Sequence, residues 1–141
     1  MGKTIWSELK EMSKALKIYI AGPYTADTEQ QVRTNVNIAI DASFVIFSKG
    51  HFPYIPHLTH FVDQRAKETG VDLKWEDYIR WDMVWVKICD AFLYLQNSID
   101  ADLELQAAKE WGKQIFYSLD EIPFANGEEH DPVLLKSSKS A

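Results

Sequence analysis

The sequence predicts an α/β fold: a parallel sheet of four to five strands in the order 2-1-3-4(-5), with helices on both faces. Three observations carry this. Four short apolar runs, Lys17–Ala21, Phe52–Ile55, Ala91–Leu95 and Gln114–Tyr117, have the length and composition of buried strands. The stretches between them repeat their apolar residues at helical spacing. Strands alternating with helices are joined by right-handed crossovers, which makes them parallel and covers the sheet on both sides.

The elements follow in order. Ile5, Leu9, Met12 and Leu16 share one helical face, so residues 1–16 are expected to form an amphipathic helix that packs on the domain or on another subunit. Its polar face carries both signs of charge, which argues against a membrane surface. Lys17–Ala21 is the first strand, and Gly22-Pro23 ends it. Tyr24–Thr28 is a loop in which Asp27 or Thr28 caps the next helix. That helix reaches about Lys49 on a stripe of Val32, Val36, Ile40, Phe44 and Phe47, and Gly50 takes the left-handed position behind it. Phe52–Ile55 is the second strand, closed by Pro56-His57. A polar helix over about Leu58–Glu68 stops at Gly70, and Trp75–Cys89 is a longer helix with Trp75, Ile79, Val86 and Cys89 in register. The strand Ala91–Leu95, a helix ending near Trp111, the strand Gln114–Tyr117 and a turn at Leu119–Pro123 complete one domain, residues 17–124. The tail, 125–141, has little apolar periodicity and is expected to be disordered.

The order 2-1-3-4 is that of a flavodoxin-like, or Rossmann-like, three-layer sandwich. It sets the loops Gly22–Thr28 and Gln96–Ala101 side by side at the switch point, where open α/β sheets bind their ligands.

Bulk properties narrow the function. A chain of 141 residues fits a single core. A formal charge of −6 argues against a nucleic-acid polymer as partner, since phosphate neutralisation needs a basic surface. One cysteine, Cys89, cannot form an internal disulfide, and no secretory leader or membrane-length apolar run is present, so a cytoplasmic setting is expected.

Two carboxylates stand out. Glu104 is expected in the first turn of the fourth helix, on the side that faces the sheet with Ala107, Ala108 and Trp111. There it is either a carboxylate stabilised by the helix N-terminus or a group that does chemistry. Asp82 interrupts the apolar stripe of the third helix among Trp81, Met83, Val84 and Trp85. It is either the partner of a basic residue (Arg80, Arg33 or Arg65) or a pocket carboxylate. Two carboxylates on one pocket suit glycosidic chemistry, in which one attacks the anomeric carbon and the other manages the leaving group. Tyr19, opposite in direction to Ile18 and Ile20, either packs or orients a carboxylate. Tyr24 and Thr25 either contact a ligand or cap. His57, directly after the second strand, reads as pocket lining; with His51 and His60 it lacks the spacing of a zinc set. No phosphate-cradling glycine motif and no Ser- or Cys-centred nucleophile signature occurs.

Three motifs in this order resemble a known family: Ile18-Tyr19-Ile20-Ala21-Gly22-Pro23; Asp82 ahead of Cys89-Asp90-Ala91; and Ser98-x-Asp100-x-x-x-Glu104-Leu105-x-x-Ala108. They are similar to those of the nucleoside 2-deoxyribosyltransferases and the related deoxynucleoside 5′-monophosphate N-glycosidases, over about residues 17–120. The resemblance implies cleavage of an N-glycosidic bond, with Glu104 as nucleophile, Asp82 protonating or orienting the departing base and Tyr19 orienting Glu104. Substrate contacts are expected from Gly22, Pro23, Tyr24, His57, Ser98 and Asp100, and the resemblance places Ser98 near the 5′-phosphate of monophosphate-cleaving relatives. It also implies no metal or organic cofactor, a small nucleoside or nucleotide as substrate, and a homo-oligomer. The relatives usually have Gly where this chain has Asp100, and a carboxylate there weighs toward a nucleoside, or an unusual nucleotide, over a simple monophosphate. A non-catalytic nucleotide-binding or sensing module of the same fold is the alternative, and a structural oligomerisation domain is a third reading.

Overall fold

In the computed structural model, residues 4–7 and 15–125 are described. Among them, strands β1 (Lys17–Ala21), β2 (Phe52–Tyr54), β3 (Ala91–Tyr94) and β4 (Gln114–Phe116) alternate with helices α1 (Glu29–Ser48), α2 (Thr59–Thr69), α3 (Trp75–Ile88) and α4 (Ile99–Glu110). The sheet is parallel throughout, in the order β2-β1-β3-β4. This is the flavodoxin-like α/β arrangement. Of the expected first helix, residues 4–7 are described, where the Thr4 hydroxyl accepts from the Ser7 amide, and residues 15 and 16, which are not helical but lead straight into β1; its other residues, and the tail from 126 on, lie outside the described residues. No helix among the described residues is long and apolar enough to cross a membrane.

Alternation along the strands splits the core into two layers. Ile18 and Ile20 of β1 and Ala91 and Leu93 of β3 point to one face, where they pack with Ala39, Ala42 and Ile46 of α1. Tyr19, Ala21 and Phe92 point to the other, against Val86 and Cys89 and against Ala101 and Ala108 of α4. The parallel register sets Tyr19 beside Tyr54 on one side and Phe92 on the other. Their rings stack at 5.7 Å and 5.6 Å, and Trp85 of α3 stacks on Tyr54 at 4.7 Å. This aromatic ladder is the floor beneath the site.

The cap of α1 is one of the two residues expected, and the cap of α4 lies earlier than a first-turn Glu104 implied. Thr28 caps α1 by accepting from the Gln31 amide at 3.1 Å, and Ser98 caps α4 by accepting from Ala101 at 3.0 Å. Gly50 has φ 90°, and a Cβ there would meet the Cβ of Ala125 at 3.0 Å, so glycine is required on both counts.

The face of α1 differs from the expected stripe. Val36, Ala39, Ala42, Ser43 and Ile46 are buried, while Phe44 and Phe47 are exposed. Steps of four residues advance about 40° beyond a full turn, so a stripe drawn from Val36 through Ile40 to Phe44 drifts off the face it began on. Small residues let α1 lie close to the sheet, and Phe47 instead packs edge-on against Phe52.

Candidate functional site

At the carboxyl ends of the strands lies a cavity of about 220 Å³, lined by Gly22 and Tyr24 after β1, His57 after β2, Asp82 of α3, and Asp100 and Glu104 of α4. It sits at the crevice expected for this topology. Trp75, Tyr78 and Asp82 succeed one another at three- and four-residue steps, which places all three on the cavity side of α3.

Glu104 is buried at 4% exposure. Because α4 begins at Ile99, Glu104 lies in the second turn rather than the first, and the acidic residues of the first turn are Asp100 and Asp102. The dipole of the helix end therefore acts chiefly on those two, and Glu104 depends on side chains. Its Oε2 accepts a hydrogen bond from the Tyr19 hydroxyl at 2.7 Å. Ala101 and Ala108, buried on the same side of α4, bring the helix close enough to the sheet for this contact.

Asp82 reaches the same point from α3. Burial raises its carboxyl from the ordinary 3.8 to about 7; hydrogen bonding with Glu104 opposes the rise and the charge of Asp100 adds to it. Burial also raises Glu104 well above the ordinary range, with the charge of Asp82 next in importance and the Tyr19 hydrogen bond acting in the opposite direction. Two buried carboxyls this close oppose each other's ionisation, an arrangement in which one proton can be shared and the two groups titrate together. Asp82 Oδ1 is buried and receives no hydrogen bond from a donor group, as a proton held between the carboxyls would explain. None of the three arginines expected as partners serves it: Arg80 pairs with Asp77, Arg65 with Glu68, and Arg33 lies over the Phe61 ring.

Tyr19 is fully buried under the cavity rather than in its wall. Its phenol is held well above the usual value by burial first and then by the charge of Glu104, so it acts as a donor.

The histidines do not converge. His51 accepts from the Leu16 amide through Nδ1 at 2.9 Å, which makes Nε2 the donor to the Pro123 carbonyl at 2.6 Å. His60 Nδ1 pairs with the Tyr24 hydroxyl at 2.9 Å and so fixes that ring on the cavity rim. His57 Nε2 meets the Gly22 carbonyl at 3.1 Å, and burial lowers its pKa, so it is a neutral wall residue.

Of the substrate contacts expected, Gly22, Tyr24, His57 and Asp100 line the cavity. Pro23 lines a smaller adjoining hollow of about 100 Å³ with Asn35, Leu95 and Gln96. Ser98 lines neither, because its hydroxyl is engaged in the helix cap. Sequence reasoning did not single out Asp63 and Tyr78, which meet at 3.0 Å through the Tyr78 hydroxyl, or Trp75 as a wall residue. The shared face of Trp75, Tyr78 and Asp82 was a usable signal for two of these.

No curated protein matches the chain. Residues 16–118, which contain all four strands and both central carboxylates, match the family described as "Domain of unknown function (DUF7768)". The chain belongs to that family.

Proposed function

We propose that this protein cleaves or transfers at the N-glycosidic bond of a nucleoside or nucleotide through a glycosyl-enzyme on Glu104. The observation that carries the reading is the buried pair Asp82–Glu104 at the cavity wall, with the Tyr19 hydroxyl donating to Glu104. A shared proton supplies one acid and one carboxylate in the same place, which are the two groups a glycosidic displacement uses.

The contact between the two carboxyls raises Glu104 and lowers Asp82, so the resting proton sits on Glu104 and passes to Asp82 as the substrate binds. The Glu104 carboxylate then attacks the anomeric carbon while the bond to the base nitrogen breaks and Asp82 gives its proton to the departing base. The hydrogen bond from Tyr19 keeps the attacking oxygen aimed. A water then donates its proton to the Asp82 carboxylate as its oxygen takes the anomeric carbon, releasing Glu104; a second base in place of water completes a transfer. The chain's own side chains supply every group in this sequence, with no cofactor.

The reading extends to a homo-oligomer in cytoplasmic nucleotide metabolism. Trp81, Val84, Trp85 and Ile88 form an exposed apolar strip on the outer face of α3, which supports self-association.

The test is incubation with deoxynucleosides, ribonucleosides and their monophosphates, with and without a free acceptor base, followed by chromatography. Base release or exchange is expected, and Glu104→Gln abolishes it. No turnover on any member, or full activity in Glu104→Gln, overturns the reading.

A further inference from the structure

We propose that Lys49, Gly50 and His51 form an acid-operated latch: the His51 ring ties the entry of β1 to residues 119–125, and a second proton on the ring lets both go. The device lies away from the cavity and does not depend on the glycosidic reading.

The turn between α1 and β2 commits all three residues to the closing segment. The Lys49 ammonium donates to the Leu119 carbonyl at 2.7 Å and the Ile122 carbonyl at 2.8 Å, and lies over the Phe124 ring. The Lys49 carbonyl accepts from the Ala125 amide at 2.9 Å, across the close approach that Gly50 permits. His51 is buried and closes the set. Its Nε2 donates to the Pro123 carbonyl while its Nδ1 accepts from the Leu16 amide, one residue before β1. Between these ties Ile122 is 1% exposed in the core on the α1 side.

Of these groups an imidazole is the kind whose hydrogen-bond capacity changes between about pH 5 and 8. Accepting from Leu16 while donating to Pro123 takes a neutral ring with a bare Nδ1. A second proton turns Nδ1 into a donor, which then faces the Leu16 N–H and leaves a buried charge. The charged groups on the surrounding elements do not offset it. Lys49 is cationic and held to the same segment, and Asp90 is taken by the Lys17 ammonium and amide. Glu121 accepts from the Tyr117 amide, and Asp120 is exposed. A proton thus favours the open form, and the latch opens as pH falls. Opening frees both chain ends at the amino-terminal end of the sheet, opposite the cavity, and uncovers Ile122.

The experiment follows the full chain by NMR from about pH 8 to about pH 5. Ring nitrogen shifts report the proton on Nδ1, and amide protection factors, which remove the intrinsic pH dependence of exchange, report the latch. Local exchange is read rather than Tm, because Asp82 and Glu104 act on global stability in the opposite direction. As Nδ1 gains its proton, protection at Leu16, Ile122 and Ala125 is expected to fall together by about tenfold per pH unit, the slope of one-proton linkage. Ile20 and Leu93 in the central strands keep theirs. His51→Gln, which accepts and donates but takes no proton, is expected to hold protection flat across the range; the wild-type titration decides alone if that variant does not fold. A ring that stays neutral to about pH 5, or one that protonates with the three amides still protected, overturns the proposal. So does loss of protection at Ile20 and Leu93 in step with the three, which is global unfolding. A His51→Gln chain with the wild-type pH dependence overturns it as well.

Discussion

The Tyr19 hydroxyl lies 2.7 Å from Glu104 Oε2, joining the central strand β1 to helix α4 through a side chain with no exposed surface. The ring is clamped between Tyr54 and Phe92, so the position of the hydroxyl is set by the sheet register rather than by the cavity. Tyr19→Phe keeps the stack and deletes only the donor. In this variant kcat is expected to fall roughly 100-fold, the scale of removing one preorganised hydrogen bond from a developing charge. Tyr19 lowers the pKa of Glu104, so its loss raises it, and the acid limb of the pH–rate profile moves to higher pH. An unshifted limb with full kcat would show that Tyr19 only packs.

Asp82 and Glu104 also set how stability depends on pH. Both carboxyls are raised in the folded state, chiefly by burial, so the folded chain holds protons that the unfolded chain has released. Their contribution is fully present below the ordinary carboxylate pKa and is lost as pH rises; for Asp82 the window runs from 3.8 to about 7. Thermal unfolding scans are expected to show Tm falling across that range. Asp82→Asn flattens the fall and raises Tm at pH 8 by about 3 °C, on the order of 1 kcal/mol for a domain of this size. A steeper pH dependence in the variant contradicts the shared proton.

Ser98 tests cap against contact. Its hydroxyl accepts from Ala101 at 3.0 Å, so Ser98→Ala is expected to destabilise the fold by about 1 kcal/mol, while Ser98→Asp retains most of the stability. Denaturant unfolding checks this. If Ser98→Ala leaves stability unchanged and instead raises KM, the residue serves the ligand.

The outer face of α3 bears on assembly. Val84 and Ile88 are 55% and 49% exposed and lie one turn apart beside Trp81 and Trp85. Sedimentation of the wild type is expected to give a dimer or larger species at micromolar concentration, and Val84→Lys with Ile88→Lys to give the monomer. Trp85 is a poorer choice because its ring supports Tyr54. A wild-type monomer ends the homo-oligomer reading.

Local pattern determined the scaffold. Short apolar runs became β1 to β4, and Thr28, one of two expected caps, closed α1; Ser98, expected at the substrate, proved to be the cap of α4. Helical crossovers between strands made the sheet parallel, and the order found is the flavodoxin-like 2-1-3-4 expected. Those are properties of neighbours in sequence and of chain chirality. The face of α1 was not legible, because aromatic size suggested Phe44 and Phe47 for the core, whereas close helix–sheet packing selects small Ala39 and Ala42. At the site, the sequence marked Glu104 and Asp82 as carboxylates out of place and left Tyr19 between packing and orienting a carboxylate. Only the tertiary structure brought them into contact and gave Asp82 a carboxylate for a partner in place of an arginine. It likewise turned Asp100 toward Trp75, and drew Tyr78 and Asp63 into the wall, from elements far apart in the chain. Charge sharing and burial depend on distances across the fold, and no local pattern of residues encodes them.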